Sequence, residues 1–314
     1  MKYKEQLPSK LIYRVGDSKY KIKLLSKKAR KVWKQRKEYF SKEYKEQKRI
    51  SKSERQKNIK RTVTYSKEPS EKTISSKNQK LAVYTCVFGN YDKIREPFFK
   101  SKYCDYFIIT DLEVPQKSAW KKIMQKNVPK DFENWHPAIK NRYYKMHPQY
   151  VFEDYEYSLY IDGNLRPMAD LYPFVLKLRR KNGIIGMFKH PCFNCLYDSA
   201  EHLKNINLVE KSTMDLQINK YRNEGYPAKY GFFECNFILR KHNDQKCKDI
   251  MEDWWLEYVN HVKRDQQSMT YALWKNGLSF SDVCVFGNNI RNDSRLKLYI
   301  HKEKHKKVIQ KVEI

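Results

Sequence analysis

Two oxygen-bearing side chains, two residues apart at the end of a hydrophobic run, are where this sequence first offers chemistry. In YEYSLYIDGNLRP (155–167), Leu159, Tyr160 and Ile161 have the texture of a buried strand, and Asp162-Gly163-Asn164 breaks it. On an extended segment side chains two apart point the same way, so Asp162 and Asn164 can converge on one point. Gly163 lets the chain bend and lets a bulky ligand approach the backbone. Such oxygen ligands suit a hard divalent cation that is also held by phosphates. An ordinary Asp-Gly-Asn turn uses the same tripeptide, so the choice rests on the rest of the chain. Two more carboxylates are candidates: Glu234 in FECN and Asp265 in RDQ. Each can orient or deprotonate a hydroxyl, or be held in a salt bridge. Arg142 and Lys145 lie three apart, on one face of a helix, where they can meet an anion or simply face solvent.

The elements that must carry these residues alternate. LAVYTCVF, from Leu81, reads as a buried strand ending in the turn GNYD, and CDYFIITD (104–111) as a second ending in an acid. PAIKNRYYKMHPQYVF (137–152) reads as a helix with Pro137 at its first position. YSLYIDGN is a third strand, 168–182 a helix stopped by Gly183, and GIIGMFKHP a fourth strand. STMDLQINKYRNEG is helical, 230–243 is a fifth strand, 244–262 an amphipathic helix, and RDQQSMTYALWKNG opens another. This alternation predicts an α/β sandwich with a largely parallel sheet. Ligands of such folds sit at the carboxyl ends of the strands, where GNYD, TD, DGN and KHP fall. Ahead of it, residues 1–24 hold short apolar pieces suited to a hairpin or to docking. Residues 25–60 have no Gly or Pro and predict a long solvated helix, and 61–79 have the composition of a linker. The expected division is a basic, partly helical extension with linker (1–79) and a main domain (80–314).

The formal net charge of +29 is unevenly placed. Residues 1–80 hold 27 Lys+Arg against 8 Asp+Glu, so +19 of it sits in the first quarter. Such an arm suits an anionic membrane surface or an acidic polymer. Nucleic acid is disfavoured, because the interleaved aromatics follow no stacking-platform motif. No apolar run reaches membrane-spanning length and no secretory h-region opens the chain, which makes the cytoplasm the expected compartment, with the arm able to hold the protein at the inner membrane face. The 7 cysteines form no disulfide framework, and HPCFNC lacks the second pair that a structural zinc site needs. No P-loop, dinucleotide fingerprint, zincin helix or nucleophile elbow is present.

Six stretches in one order decide between turn and site: YTCVFGNYDKIREPFF, CDYFIITD, KNRYYKMHPQYVFEDYEYSLYIDGN, KHPCFNCLYDSAEH, GFFECNFILRKHN and RDQQSMTYAL. Together they resemble the glycosyltransferase-like family that includes the plant mucilage-related hexosyltransferases, over about residues 81–290. The resemblance implies a GT-A-like fold, a nucleotide-sugar donor such as a uridine diphosphate sugar, a glycan or lipid-linked acceptor, and Mn²⁺ or Mg²⁺ held by the strand-end acid motif. Asp162 and Asn164 would hold the metal, with His301 able to complete its shell. The second acid usual in that motif is here a neutral Asn, which weakens the expected site. Thr85, Phe88, Gly89, Asn90 and Tyr91 would wrap the nucleobase and ribose, and Asp111 would accept hydrogen bonds from them. Arg142 and Lys145 would reach the diphosphate. Glu234 and Asp265 would orient or deprotonate the acceptor, in an inverting or a retaining reaction, and His190 and Asp198 would line the acceptor side. Two other readings stand beside transfer: a binding module without catalysis, and a lipid-amide hydrolase, since a ceramidase activity has been described in the same family.

Overall fold

The computed structural model describes residues 80–123 and 128–299, together with the backbone of residues 11–15 and 18–22. The chain divides into two compact units, Met1–Glu68 and Pro69–Ile314. In the first, β1 (Leu11–Val15) and β2 (Ser18–Ile22) pair antiparallel as a hairpin. The helix expected over 25–60, the linker 61–79 and His301 lie outside the described residues.

The second unit is built on β3 (Leu81–Val87), β4 (Cys104–Thr110), β5 (Lys121–Lys122), β6 (Tyr157–Ile161), β8 (Ile185–Lys189), β9 (Phe233–Arg240) and β10 (Cys284–Val285). Their order across the sheet is β10-β8-β9-β6-β3-β4-β5. All neighbours run parallel except β9, which is antiparallel to both β6 and β8. The largely parallel α/β sheet expected from the sequence is the one that forms. Every residue of β3 is buried. Leu81, Val83 and Val87 enter one core cluster, and Ala82, Tyr84 and Cys86 another. Burial on both faces explains why this strand reads as continuous apolar sequence.

The helices are α1 (Pro137–Met146), α2 (Tyr172–Arg180), α3 (Leu196–Asn205), α4 (Lys211–Asn223), α5 (Gln245–Asn260) and α6 (Gln266–Lys275). Helix α1 begins at Pro137 as expected but ends at Met146, not residue 152. Pro148 offers no N–H and disfavours helical geometry at His147, and the chain continues as a short 3₁₀ turn, Pro148–Tyr150. Beyond β6, β7 (Leu165–Pro167) pairs antiparallel with β11 (Leu296–Leu298), and the Tyr299 N–H donates to the Asn164 carbonyl at 2.8 Å. This ribbon fastens the far end of the described chain to the Asp-Gly-Asn loop. No helix among the described residues is long and apolar enough to cross a membrane.

Candidate functional site

The site assembles at the carboxyl end of β6. Asp162 follows the last residue of that strand, and its N–H continues the ladder by donating to the Asn236 carbonyl of β9 at 2.9 Å. Strand β9 is irregular here: against β8 its partners jump from Ile238 to Glu234, between Met187 and Phe188. The irregularity brings Glu234 and Asn236 alongside Asp162, with Asn236 Nδ2 donating to Glu234 Oε2 at 2.8 Å. The Tyr160 hydroxyl donates to Asp162 Oδ1 at 2.9 Å and so orients the carboxylate, which keeps 26% of its side chain exposed. Gly163 is required by packing, since a Cβ there would lie 2.9 Å from Val87 Cγ2 and 3.3 Å from Asp92 Cβ. Gly163→Ala is therefore expected to cost about 1–3 kcal/mol through overpacking. Thermal unfolding checks this, and a melting temperature equal to the wild type's would refute it.

Behind Asp162 lies a charged hub. Lys145, on α1 and 1% exposed, donates to Asp265 Oδ2 at 2.6 Å and stands 3.7 Å from Asp162 Oδ1. Arg142, one turn earlier, approaches the same Asp265 oxygen with its Nε at 3.2 Å. Asp265 caps α6, accepting from the Gln266 N–H. Burial alone would raise the Asp265 carboxyl; Lys145, Arg142 and Arg264 outweigh it and hold the group well below the ordinary carboxylate range. Glu234 behaves oppositely: burial raises it, although Arg291 donates to its Oε1 at 2.8 Å. Arg264 sits in the field of Asp265, Arg142 and Tyr91, and burial lowers its guanidinium from the usual value. Arg240 is fully buried and ties the hub to the sheet, donating to the Lys145 carbonyl at 2.6 Å and to the Tyr84 hydroxyl.

Asp162, Asp265, Glu234, Arg142 and Lys145, each singled out in the sequence, thus meet in one network. The other candidates lie at different depths. Thr85 and Phe88 are buried, with Phe88 packed against Phe132 and Tyr144 in an aromatic core. What their side chains touch among the described residues is protein, behind the turn that follows β3. Lys145 is equally enclosed and stands as an internal strut between two carboxylates. Gly89 (φ +63°) and Asn90 (φ 56°) form the left-handed turn after β3, and the Gly89 N–H donates to Asp111 Oδ2 at 2.8 Å. Tyr91, 39% exposed, is the aromatic that this turn presents outward.

Asn164 is buried and donates its Nδ2 to the Tyr299 carbonyl at 3.0 Å, anchoring the ribbon as well as bordering the site. His190 is folded against Phe193 and Phe232, and its Nδ1 accepts from the Cys192 and Phe193 N–H groups. Asp198 is exposed on α3, beside a hollow lined by Tyr197, Arg222 and Tyr226. Among the described residues no hydrogen bond or ion pair joins His190 or Asp198 to the hub. The cysteines are free, and none but Cys192 is more than slightly exposed, in keeping with packed thiols. Arg264, Arg291, Asn236 and Asp92 were missed. Arg264 stands next to Asp265 and Asp92 closes the FGNYD turn, so adjacency signalled both; nothing local marked Asn236 or Arg291.

Two histidines, His242 buried and His190 partly buried, set a pH dependence. Burial lowers His190 and His242 from 6.5 to about 4. The unfolded chain therefore binds more protons between those values, and stability present above pH 6.5 is lost as pH falls toward 4. A full shift of this size corresponds to roughly 3 kcal/mol per histidine. Glu234, raised from 4.5, opposes it over the lower part of the window. Melting temperature is expected to fall steadily from pH 7 to pH 4.5, and a flat profile would contradict the desolvation of the two rings.

For a metal the fit is partial. Among the described residues, no group of three His, Cys, Asp or Glu side chains could hold an ion. Asp162 supplies one oriented, part-exposed carboxylate, the kind of ligand that hard cations take alongside phosphate oxygens and water.

Carboxylates and arginines thus gather at the strand ends of a largely parallel sheet, where ligands of such α/β domains sit. The profile of the family described as "TOD1/MUCI70, glycosyltransferase-like domain" matches residues 25–301, and the chain belongs to that family. The match reaches back to residue 25 and forward past the β7–β11 ribbon, beyond the stretch on which the resemblance rested. No curated protein matches the chain. Solved structures with some likeness include the apo WbbM bifunctional glycosyltransferase, at 10% identity and a TM-score of 0.41, covering 68% of this chain and 39% of that one. Apo mouse xyloside xylosyltransferase 1 matches at 9% identity and 0.38, covering 66% and 85%. The mannosyltransferase Ktr4p from S. cerevisiae matches at 11% and 0.37, covering 72% and 76%. The chain spans about two-fifths of the WbbM protein.

Proposed function

We propose that the protein transfers a sugar from a nucleotide-sugar donor, a uridine diphosphate sugar, to a glycan or glycolipid acceptor in surface-polysaccharide synthesis. The observation that carries this reading is the Asp162 carboxylate, oriented by Tyr160 at a strand end and flanked by Glu234 and the Arg142–Lys145–Asp265 hub, in a chain of a glycosyltransferase-like family. Tyr91 offers a face to the nucleobase, and Asp111, held by Gly89, an acceptor to the ribose. Arg142 and Arg264 supply positive charge to the diphosphate. Asp265 holds those cations in place, since its depressed pKa makes it a poor base. Glu234, whose proton affinity is raised, is better suited to accept a hydroxyl proton or orient the acceptor. A Mn²⁺ or Mg²⁺ ion held by Asp162, with Asn164 and His301 as further ligands, would neutralise charge on the departing nucleoside diphosphate. The reading assigns the protein to the cytoplasm, with the basic arm directed at an anionic surface.

The test is thermal stabilisation by a panel of nucleoside diphosphates and nucleotide sugars, with and without Mn²⁺, on the wild type and Asp162→Ala. Mn²⁺-dependent stabilisation by one nucleotide, lost in the variant, is the expected result. No response to any nucleotide would replace transfer by the binding-module reading, and fatty-acid release from ceramide would replace it by hydrolysis.

A further inference from the structure

The loop between β3 and β4 exposes two adjacent aromatic rings, Phe98 at 69% and Phe99 at 48%. These rings are not left outside by a loose backbone. The Phe98 N–H donates to the Pro167 carbonyl of β7 at 2.8 Å, the Phe99 carbonyl accepts from the Tyr106 hydroxyl at 3.4 Å, and Pro97 before them is buried. The fold thus holds both rings in water, where apolar surface of this size is unfavourable unless something covers it.

The exposed charges of this loop are of one sign. Between residues 89 and 103 the exposed charged residues are Lys93, Lys100 and Lys102. The acids of the loop face inward: Asp92 is buried, and Glu96 accepts from Ser118 and the Ala119 N–H. The Arg166 guanidinium lies 5.7 Å from the centre of the Phe98 ring. Exposed aromatics ringed by lysines are suited to the headgroup layer of an anionic bilayer. The core of a protein–protein interface is instead depleted in lysine.

We infer that this loop is a bilayer-docking surface: Phe98 and Phe99 enter the headgroup region of an anionic membrane, and Lys93, Lys100 and Lys102 pair with its phosphates. Its position gives the docking a consequence for the site. Arg95 of the same loop donates to the Gly163 carbonyl at 3.2 Å, and β7, which holds Phe98, begins directly after Asn164. Docking would therefore bring the Asp162 loop close to the lipid surface. Exposure and charge alone carry this inference, and it does not require the transfer reading.

The test uses the full chain and co-sedimentation with vesicles of phosphatidylcholine, alone or mixed with phosphatidylserine, at about 0.1 M and about 0.5 M salt. Binding through the basic arm is screened at the higher salt, whereas ring insertion is not. The wild type is expected to stay on the anionic vesicles at high salt, and Phe98→Ser/Phe99→Ser to lose roughly tenfold or more in partitioning. A second variant guards against misfolding: Phe98→Trp should add emission that shifts blue and is quenched by brominated lipid. Release of the wild type at high salt, equal partitioning of the double variant, or added indole emission that brominated lipid leaves unquenched would each overturn the inference. So would a double variant that binds vesicles normally but loses retention on an acidic polysaccharide.

Discussion

Asp162→Ala is expected to lose transfer activity by about 10²–10³-fold in kcat while keeping a near-native melting temperature. The carboxylate is the part-exposed anion of the site, and removing one preorganised electrostatic group from a reacting centre has effects of that order. Its structural duties are light. Tyr160 loses an acceptor, a change of about 1 kcal/mol, while Lys145 keeps its shorter contact to Asp265. Turnover with the donor identified in the nucleotide panel, measured beside a melting curve, separates the two effects. Turnover within a few-fold of the wild type would remove Asp162 from the reaction. A collapse in melting temperature would make it a structural residue.

Lys145→Met should do the reverse and unfold the domain readily. The lysine is enclosed between Asp265 and Asp162, and its loss leaves Asp265 buried with Arg142 at 3.2 Å and the field of Arg264 but no hydrogen-bonded ammonium. Breaking a buried pair in this way costs about 3–5 kcal/mol, or roughly 10 °C in melting temperature for a domain of this size. The cause can be isolated by adding Asp265→Asn, which keeps an oxygen to cap α6 but removes the stranded charge. The double variant should be more stable than Lys145→Met alone. If the second change lowers stability further by its own full amount, the two side chains are not coupled and Lys145 is no strut.

Much of the scaffold could be read because its strands are buried on both faces, so that β3, β6 and β9 stand out as apolar runs with polar ends. Helix α3 was not anticipated, since Cys195 caps it without a side-chain hydrogen bond and so gives no start signal. The reversed direction of β9 is invisible in one dimension. So is the irregularity that sets Glu234 and Asn236 beside Asp162, because both arise from pairing with strands distant in the sequence, as Phe188 with Glu234 and Ser158 with Arg240. The anionic half of the site was legible for a simple reason: Asp162 and Asp265 each end an apolar segment or open a helix. Residue type says nothing of depth, however. Phe88 and Lys145 have the chemistry of ligand contacts and the burial of core residues, and only the packing of α1 on the sheet separates the two. Arg291 comes to Glu234 from 57 residues away, with no local pattern to announce it.

The place of β9 in the sheet also has a consequence for the order of events at synthesis. Strand β6 is complete at Ile161, but its second edge stays without a partner until Phe233–Arg240 has been made. Until then the growing chain carries an apolar strand with an open hydrogen-bonding edge, the kind of surface that invites misassociation. The strand that closes this edge also carries Glu234, Asn236 and Arg240. Sheet closure and the arrival of these three residues therefore coincide, ahead of Asp265 and Arg291, and a nascent chain interrupted before residue 240 would be both sticky and without its site.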